Sequence, residues 1–181
     1  RLPSVLVPQL SKQDYAKLQE KMRKYKGFYI QKRSLRYYDT PSAANVLGYI
    51  SEVNEGDLAV NKYYVQGELK GRTGVERYYE DLLRGRKGVQ YIQKDRFNRD
   101  IGPYKNRTID TLPEQGKQIS ITIDKTLQEY GELLMHGKRG GIVALEPATG
   151  EILSMISGPT YDPALLVGRE RSKNYTKLYN D

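Results

Sequence analysis

Few residues of this 181-residue chain could carry chemistry: a lone histidine, some neighbouring carboxylates, a basic glycine run and 16 tyrosines, with no cysteine at all. Zero Cys removes disulfides, thiolate metal sites and thiol nucleophiles, and one His argues against histidine metal sites and a Ser-His-Asp triad. Glu80-Asp81 and Asp95-Asp100 lack the apolar setting that raises a carboxyl pKa for acid–base work, so they read as surface charges. Gly85-Arg86-Lys87-Gly88 has the look of an anion nest, but it follows a predicted helix, where the dipole disfavours anions and cations are the ordinary complement. His136, near another helix end, has the same explanation. There is no Gly-x-x-x-x-Gly-Lys-Ser/Thr phosphate loop. The doublets Tyr37-Tyr38, Tyr63-Tyr64 and Tyr78-Tyr79 place amphipathic rings at core edges, on a half-buried sheet with wet hydroxyls. Stacking on bases along Tyr25 to Tyr38 is the rival, but no RNA-binding fingerprint or zinc spacing accompanies it.

The elements that would position these residues follow from periodicity. Ser11 and Asp14 form an N-cap pair for a helix over 12–25, ending near Gly27. Residues 28–36 read as a strand with one wet face, followed by a turn at Asp39-Thr40-Pro41 and a short helix over 42–47 closed by Gly48. Thr73 opens a helix carrying Val75, Tyr78, Tyr79, Leu82 and Leu83, with Glu76 completing a capping box and Gly85 ending it. Residues 89–97 alternate as a strand, and 98–118, with Gly102-Pro103, Pro113 and Gly116, form a linker. Beyond it, Ile119, Ile121 and Ile123 read as a strand. Asp124 caps a helix to about His136, in which Gly131 costs about 1 kcal/mol relative to Ala. Two apolar strands, 140–146 and 151–157, flank a four-residue hairpin loop, and 164–181 is weakly helical. The expected architecture is α+β, with one module over 1–110 and a second unit, linker included, over 111–181.

The length suffices for a real core, and no apolar stretch approaches the roughly 20 residues of a membrane span. The formal net charge of +8 is not spread evenly. Ten Lys/Arg face two acids, Asp14 and Glu20, in residues 1–38, while from Asp39 onward there are twenty of each sign. The basic face of the first helix therefore reads as solvated or as turned to an anionic partner.

Three segments, in order, resemble the class B penicillin-binding proteins of the penicillin-binding protein 2 type. The first runs from Gly27-Phe28-Tyr29-Ile30 through Arg36-Tyr37-Tyr38 to Asn45-Val46-Leu47-Gly48-Tyr49-Ile50. The second, Gly71-Arg72-Thr73-Gly74-Val75-Glu76-Arg77-Tyr78-Tyr79 through Leu83-Arg84-Gly85, is similar to the Gly-x-x-Gly-x-Glu, Tyr, Leu-x-Gly signature of the family's dimerisation, or pedestal, domain. The third joins Ile121-Thr122-Ile123-Asp124 and Glu146-Pro147-Ala148-Thr149-Gly150 to Ser157-Gly158-Pro159-Thr160-Tyr161-Asp162-Pro163, like the first helix and strands of the transpeptidase domain. Ala164, Asp39 and Asn45 depart from the family's common Asn, Pro and His.

The resemblance implies a non-catalytic pedestal followed by an incomplete transpeptidase domain of a peptidoglycan-synthesising DD-transpeptidase active in cell elongation. Family members acylate a serine in Ser-x-x-Lys. No serine of this chain has a lysine three residues on, so the chain is expected to be inactive while its parent is a serine transpeptidase. No cofactor or metal is implied. Implied partners are the remainder of the chain's own transpeptidase domain and the glycosyltransferase and scaffold proteins of the elongation complex, with a second copy as a further candidate. The parent would act on stem peptides, bind β-lactams, and sit in the bacterial periplasm, anchored to the inner membrane by a segment outside this chain. Candidate interdomain residues are Arg36, Gly71, Gly74, Glu76, Tyr79, Arg84 and Gly85. Glu76 would pair with Arg36 or Arg84 and tie pedestal to head, unless it only completes the Thr73 capping box. Strands cut off from the rest of their sheet would offer unpaired edges and promote self-association. The rivals are a basic nucleic-acid-binding module and a freestanding envelope scaffold; the family resemblance implies no nucleic acid.

Overall fold

The computed structural model describes residues 4, 6, 7, 10–30 and 36–180. In chain order the elements are α1 (Lys12–Gln19), α2 (Ala44–Leu47), β1 (Ile50–Glu52), α3 (Glu55–Val60), β2 (Leu69–Gly71), α4 (Gly74–Tyr78) and α5 (Glu80–Leu83). There follow β3 (Ile92–Lys94), β4 (Asp100–Pro103), α6 (Lys125–Leu134), β5 (Gly140–Leu145), β6 (Ile152–Gly158) and α7 (Arg171–Asn180). The strands form three antiparallel two-stranded ribbons, β1-β2, β3-β4 and β5-β6. One compact unit joins the residues up to Arg77 with those from Thr122 onward, and the other is Tyr78–Ile121. Packing thus groups the chain differently from the sequence division at 110/111.

Local signals act where they were expected. The Ser11 hydroxyl accepts the Asp14 amide at 3.0 Å and starts α1, which stops at Gln19, with only a 3-10 turn at Met22–Lys24 beyond it. None of its residues is buried, and a helix without a packed face has little beyond propensity to extend it. Asp124 caps α6 by accepting the Leu127 amide at 2.8 Å.

In the first unit the core is small: among the described residues its buried apolar members include Ala43, Ala44, Ile50, Val53, Tyr64, Ile156, Pro163 and Leu166. Helix α6 lies on β6, and Gly131 explains its own presence there. A side chain at that position would collide with Ile156, so the lost helix propensity is the condition of close helix–strand contact. The outer edge of β6 is not free. The Leu153 carbonyl accepts the Asp124 amide at 2.8 Å, and the Ser157 carbonyl accepts Nδ2 of Asn45 at 3.1 Å. Between them Gln128, 1% exposed, accepts the Met155 amide at 2.9 Å and donates to the Met155 carbonyl at 3.0 Å. One amide side chain thus stands in for a neighbouring strand. The expectation of two unpaired edges is corrected: among the described residues the open edge is that of β5.

Other expectations also change. Residues 119–123 form no strand, because Thr122 and Asp124 bond to Ile152 and Leu153 locally before the chain turns into α6. Of the strand expected over 28–36, residues 28–30 and 36 are coil and 31–35 lie outside the described residues. The single helix expected from Thr73 to Leu83 breaks at Tyr79, whose φ of −102° and ψ of 19° are not helical. Among the described residues no strand contains a tyrosine, so these rings do not coat a sheet. In the second unit the presumed linker folds back. β4 pairs with β3, Thr111 bridges Val89 and Glu114 bridges Arg86, which gives residues 98–118 backbone partners that composition alone did not suggest.

Candidate functional site

The densest polar contacts of the first unit lie where residues 36–45 meet α6 and β6. Both glutamates of α6 accept hydrogen bonds from this segment: Glu129 from the Thr40 hydroxyl at 2.7 Å, and Glu132 from the Ala43 amide at 2.7 Å. Glu132 also accepts Nε2 of Gln128 at 2.8 Å, so one carboxylate joins the segment to the side chain that edges β6. Ala43 is left-handed, with φ of 61°, a conformation that costs a non-glycine residue about 1–2 kcal/mol. The bond to Glu132, and the burial of Ser42, Ala43 and Ala44, hold it there.

At the start of this segment Arg36 meets Glu76. Nη2 donates to Oε2 at 2.9 Å, and Nε stands 2.8 Å from Oε1 as a charge contact without hydrogen-bond geometry. Glu76 is 8% exposed, so its charge depends on that guanidinium, and removing Arg36 leaves a buried carboxylate without its counter-charge. Two glycines let the turn close around it. Gly74 has φ of +59°, and a Cβ there would lie 2.8 Å from the Gly48 amide; a Cβ on Gly71 would lie 2.7 Å from the Arg77 nitrogen. Tyr38 completes the cluster. Burial, reinforced by the Glu76 charge, pushes its phenol up to about 12, and its hydroxyl is buried without a hydrogen-bond partner.

A second network was not foreseen. Asp57 receives Lys70 at 2.8 Å and Arg72 at 2.7 Å, and shares a capping box with Asn54. The hydrogen bond from Lys70, then those of Asn54 and Arg72, hold its carboxyl well below the usual carboxylate range. Arg72 also donates to Ser51 and to the Glu52 carbonyl, so α3 is clamped to the β1-β2 ribbon. The spacing Asn54-x-x-Asp57 and the alternation Lys70-x-Arg72 were the available signals.

The remaining sequence-predicted residues lie in the second unit. Arg84 pairs with Asp81 at 2.6 Å, Tyr79 packs edge-on against Tyr78 at 4.9 Å, and Gly85 takes φ of +69° where the chain leaves α5. Asp95 pairs with Arg99 at 2.7 Å, and Asp100 with Lys94 at 3.5 Å, as surface charges do. Among the described residues no three His, Cys, Asp or Glu converge as a metal site.

Short ribbons and glycine-closed turns thus frame a polar junction in the first unit. The chain belongs to the family of the penicillin-binding protein dimerisation domain, which matches residues 2–121. It is 35% identical over 167 residues to the peptidoglycan D,D-transpeptidase MrdA of Escherichia coli K12, covering 87% of this chain and 25% of that protein. A penicillin-binding protein PBP2 from Helicobacter pylori, solved as a complex with MreC, matches with a TM-score of 0.78 at 26% identity, over 94% of this chain and 32% of that one. A peptidoglycan synthase complex, described as coordinating polymerization and crosslinking, matches with a TM-score of 0.60 at 26% identity, over 94% of this chain and 32% of that one. The family resemblance and the α+β class read from the sequence are both borne out. The chain spans about a quarter to a third of the length of these relatives.

Proposed function

We propose that this chain is the pedestal and the opening elements of the catalytic head of a peptidoglycan D,D-transpeptidase, and that its task is to fix the head's position. The observation that carries this reading is the junction: residues 40–45 hold α6 and β6 through bonds to Glu129, Glu132 and the Ser157 carbonyl, Glu76 holds Arg36 at the start of the same segment, and apolar residues of α6 and β5 stay open. Tyr130 and Leu133 on α6 are 58% and 70% exposed, and Val143 and Leu145 on β5 are each 56% exposed. Apolar surface on that scale calls for a cover, and the rest of the transpeptidase domain would supply it. Docking of elongation partners, a scaffold protein of the MreC kind and a glycan polymerase, follows from the complexes formed by the relatives. The division between pedestal and head falls at residues 110/111, and the protein works in the bacterial envelope.

The test is labelling with a fluorescent β-lactam. The full-length protein carrying this chain is labelled on a serine, and residues 1–181 alone are not. A full-length protein that resists every β-lactam at saturating concentration, while folded, refutes the reading.

A further inference from the structure

Lys12, Lys17, Lys21, Arg23, Lys24 and Lys26 crowd α1 and the turns that follow it, and all six are exposed. None of them forms an ion pair with another described residue. Elsewhere in the chain Arg36, Lys70, Arg72, Arg84, Arg99 and Lys125 each reach a carboxylate. The acids of the stretch do little to offset its charge. Asp14 accepts the Ser11 hydroxyl at 2.8 Å and lies 4.0 Å from Arg169, which leaves Glu20. The segment also has two sides: Tyr15, Leu18 and Met22 are partly buried, while Tyr25, Phe28 and Tyr29 are exposed with the cations. Tyr25 and Phe28 meet edge to face with centroids 6.2 Å apart, so the aromatic surface beside the charges is a cluster.

Cations left without counter-charges attract an anionic partner, and the residue types select its kind. Five of the six are Lys, a compact charge on a flexible stem. Recognition of fixed carboxylates favours the planar fork of Arg, and protein interfaces are depleted in Lys. A Lys stem can instead lie along apolar surface while its ammonium stays at the level of phosphate and water, and aromatic rings settle at that same level of a bilayer. We infer that residues 12–29 rest on a membrane surface of anionic phospholipids, the lysines among the headgroup phosphates and Tyr25, Phe28 and Tyr29 at the boundary with the acyl chains. The inference rests on the proposed place of this chain in the envelope. It adds a hold on the bilayer that depends on lipid charge and is independent of cross-linking chemistry.

No residue of α1 is buried, so its amides exchange readily with water and contact with lipid registers as slowed exchange. The full-length protein is reconstituted into nanodiscs of phosphatidylcholine alone and of phosphatidylcholine mixed with phosphatidylglycerol, and amide hydrogen exchange of residues 12–29 is followed by mass spectrometry. Exchange is expected to slow at least about five-fold in the phosphatidylglycerol discs, the share of one cation near the surface, and to recover when added salt screens the charges. The triple variant Lys17→Glu, Lys21→Glu, Lys24→Glu alters exposed positions outside the junction and should exchange alike in both discs. In each sample β-lactam labelling reports on the fold and, separately, on the transpeptidase reading. Equal exchange in the two discs, with labelling intact, overturns the lipid contact and leaves that reading standing. So does slowing that persists in the triple variant, or that follows added DNA or a partner protein instead of the anionic lipid. Absence of labelling in the parent protein refutes the transpeptidase reading, while the exchange still decides the lipid contact.

Discussion

Replacing Gln128 with Met keeps the length and volume of the side chain and removes its amide, which isolates the work that amide does at the edge of β6. In the native chain Gln128 satisfies both the amide and the carbonyl of Met155, at 2.9 and 3.0 Å, and also bonds to Glu132 at 2.8 Å. With Gln128 only 1% exposed, water reaches neither Met155 group easily through the methionine. Each buried group left without a partner costs about 1–3 kcal/mol. Partial relaxation at the end of a two-stranded ribbon places the expected loss at the lower part of the summed range, about 2–4 kcal/mol, with a fall in Tm on the order of 10 °C. Urea unfolding followed by circular dichroism measures the loss, and amide hydrogen exchange at Met155 should accelerate in the same variant. A Gln128→Met protein within about 0.5 kcal/mol of the parent, with Met155 equally protected, would refute the idea that this side chain replaces a strand.

Three further outcomes follow from the same geometry. Asp57 is depressed in the folded state, so its contribution to stability is present above the ordinary carboxylate range and is lost as pH falls through and below it; Asp57→Asn should flatten the acid limb of the stability profile, and an unchanged limb would exclude the clamp. Tyr38 is raised to about 12 from the ordinary 10, so stability should fall as pH rises from 10 to 12, where the unfolded phenol ionises first. Linkage limits that loss to about 2.7 kcal/mol, and solvent screening at a partly exposed ring brings it nearer 1 kcal/mol; Tyr38→Phe should abolish it in alkaline denaturation curves. Gly74→Ala and Gly150→Ala both force alanine into left-handed backbone, at φ of +59° and +77°, but only Gly74 has backbone atoms where the methyl would go. Gly150→Ala should cost about 1–2 kcal/mol and Gly74→Ala clearly more, and equal costs would remove the close-approach argument.

Punctuation residues made much of the first unit legible. Ser11 and Asp124 cap the helices they were expected to cap, and Gly48 and Gly85 end theirs, because these signals act within one turn and need no tertiary partner. Glu76 was singled out, and the structure gives it Arg36, forty residues away; sequence offered Arg84 equally, since pattern carries no information about which distant strand or turn comes near. Residues 98–118 were misread for a related reason. Their glycines and prolines signal turns truthfully, but a hairpin also consists of turns, and the strand read over 89–97 does not itself say which segment pairs with it. Gln128 and Asn45 were invisible as edge groups because their role belongs to the position of β6 and not to any spacing along the chain. Nothing in the spacing of Glu129 and Glu132 along α6 marks them as contact residues. In the fold both meet the 40–43 turn, and the apolar stripe of Tyr130 and Leu133 is left open.

The account rests on the junction acting as the device that sets the catalytic head, and Glu76→Gln in the full-length protein tests it most directly. Gln keeps the size of the side chain and can still accept a bond from Arg36, so the fold and β-lactam labelling should survive, while the charge that fixes the junction is gone. Peptidoglycan cross-linking is then measured by reconstituting the variant with its polymerase partner and counting cross-linked muropeptides. The account predicts a fall on the order of ten- to a hundred-fold at unchanged labelling, the expected cost of a misplaced catalytic group. Cross-linking at the parental rate, in a folded and fully labelled variant, would contradict it.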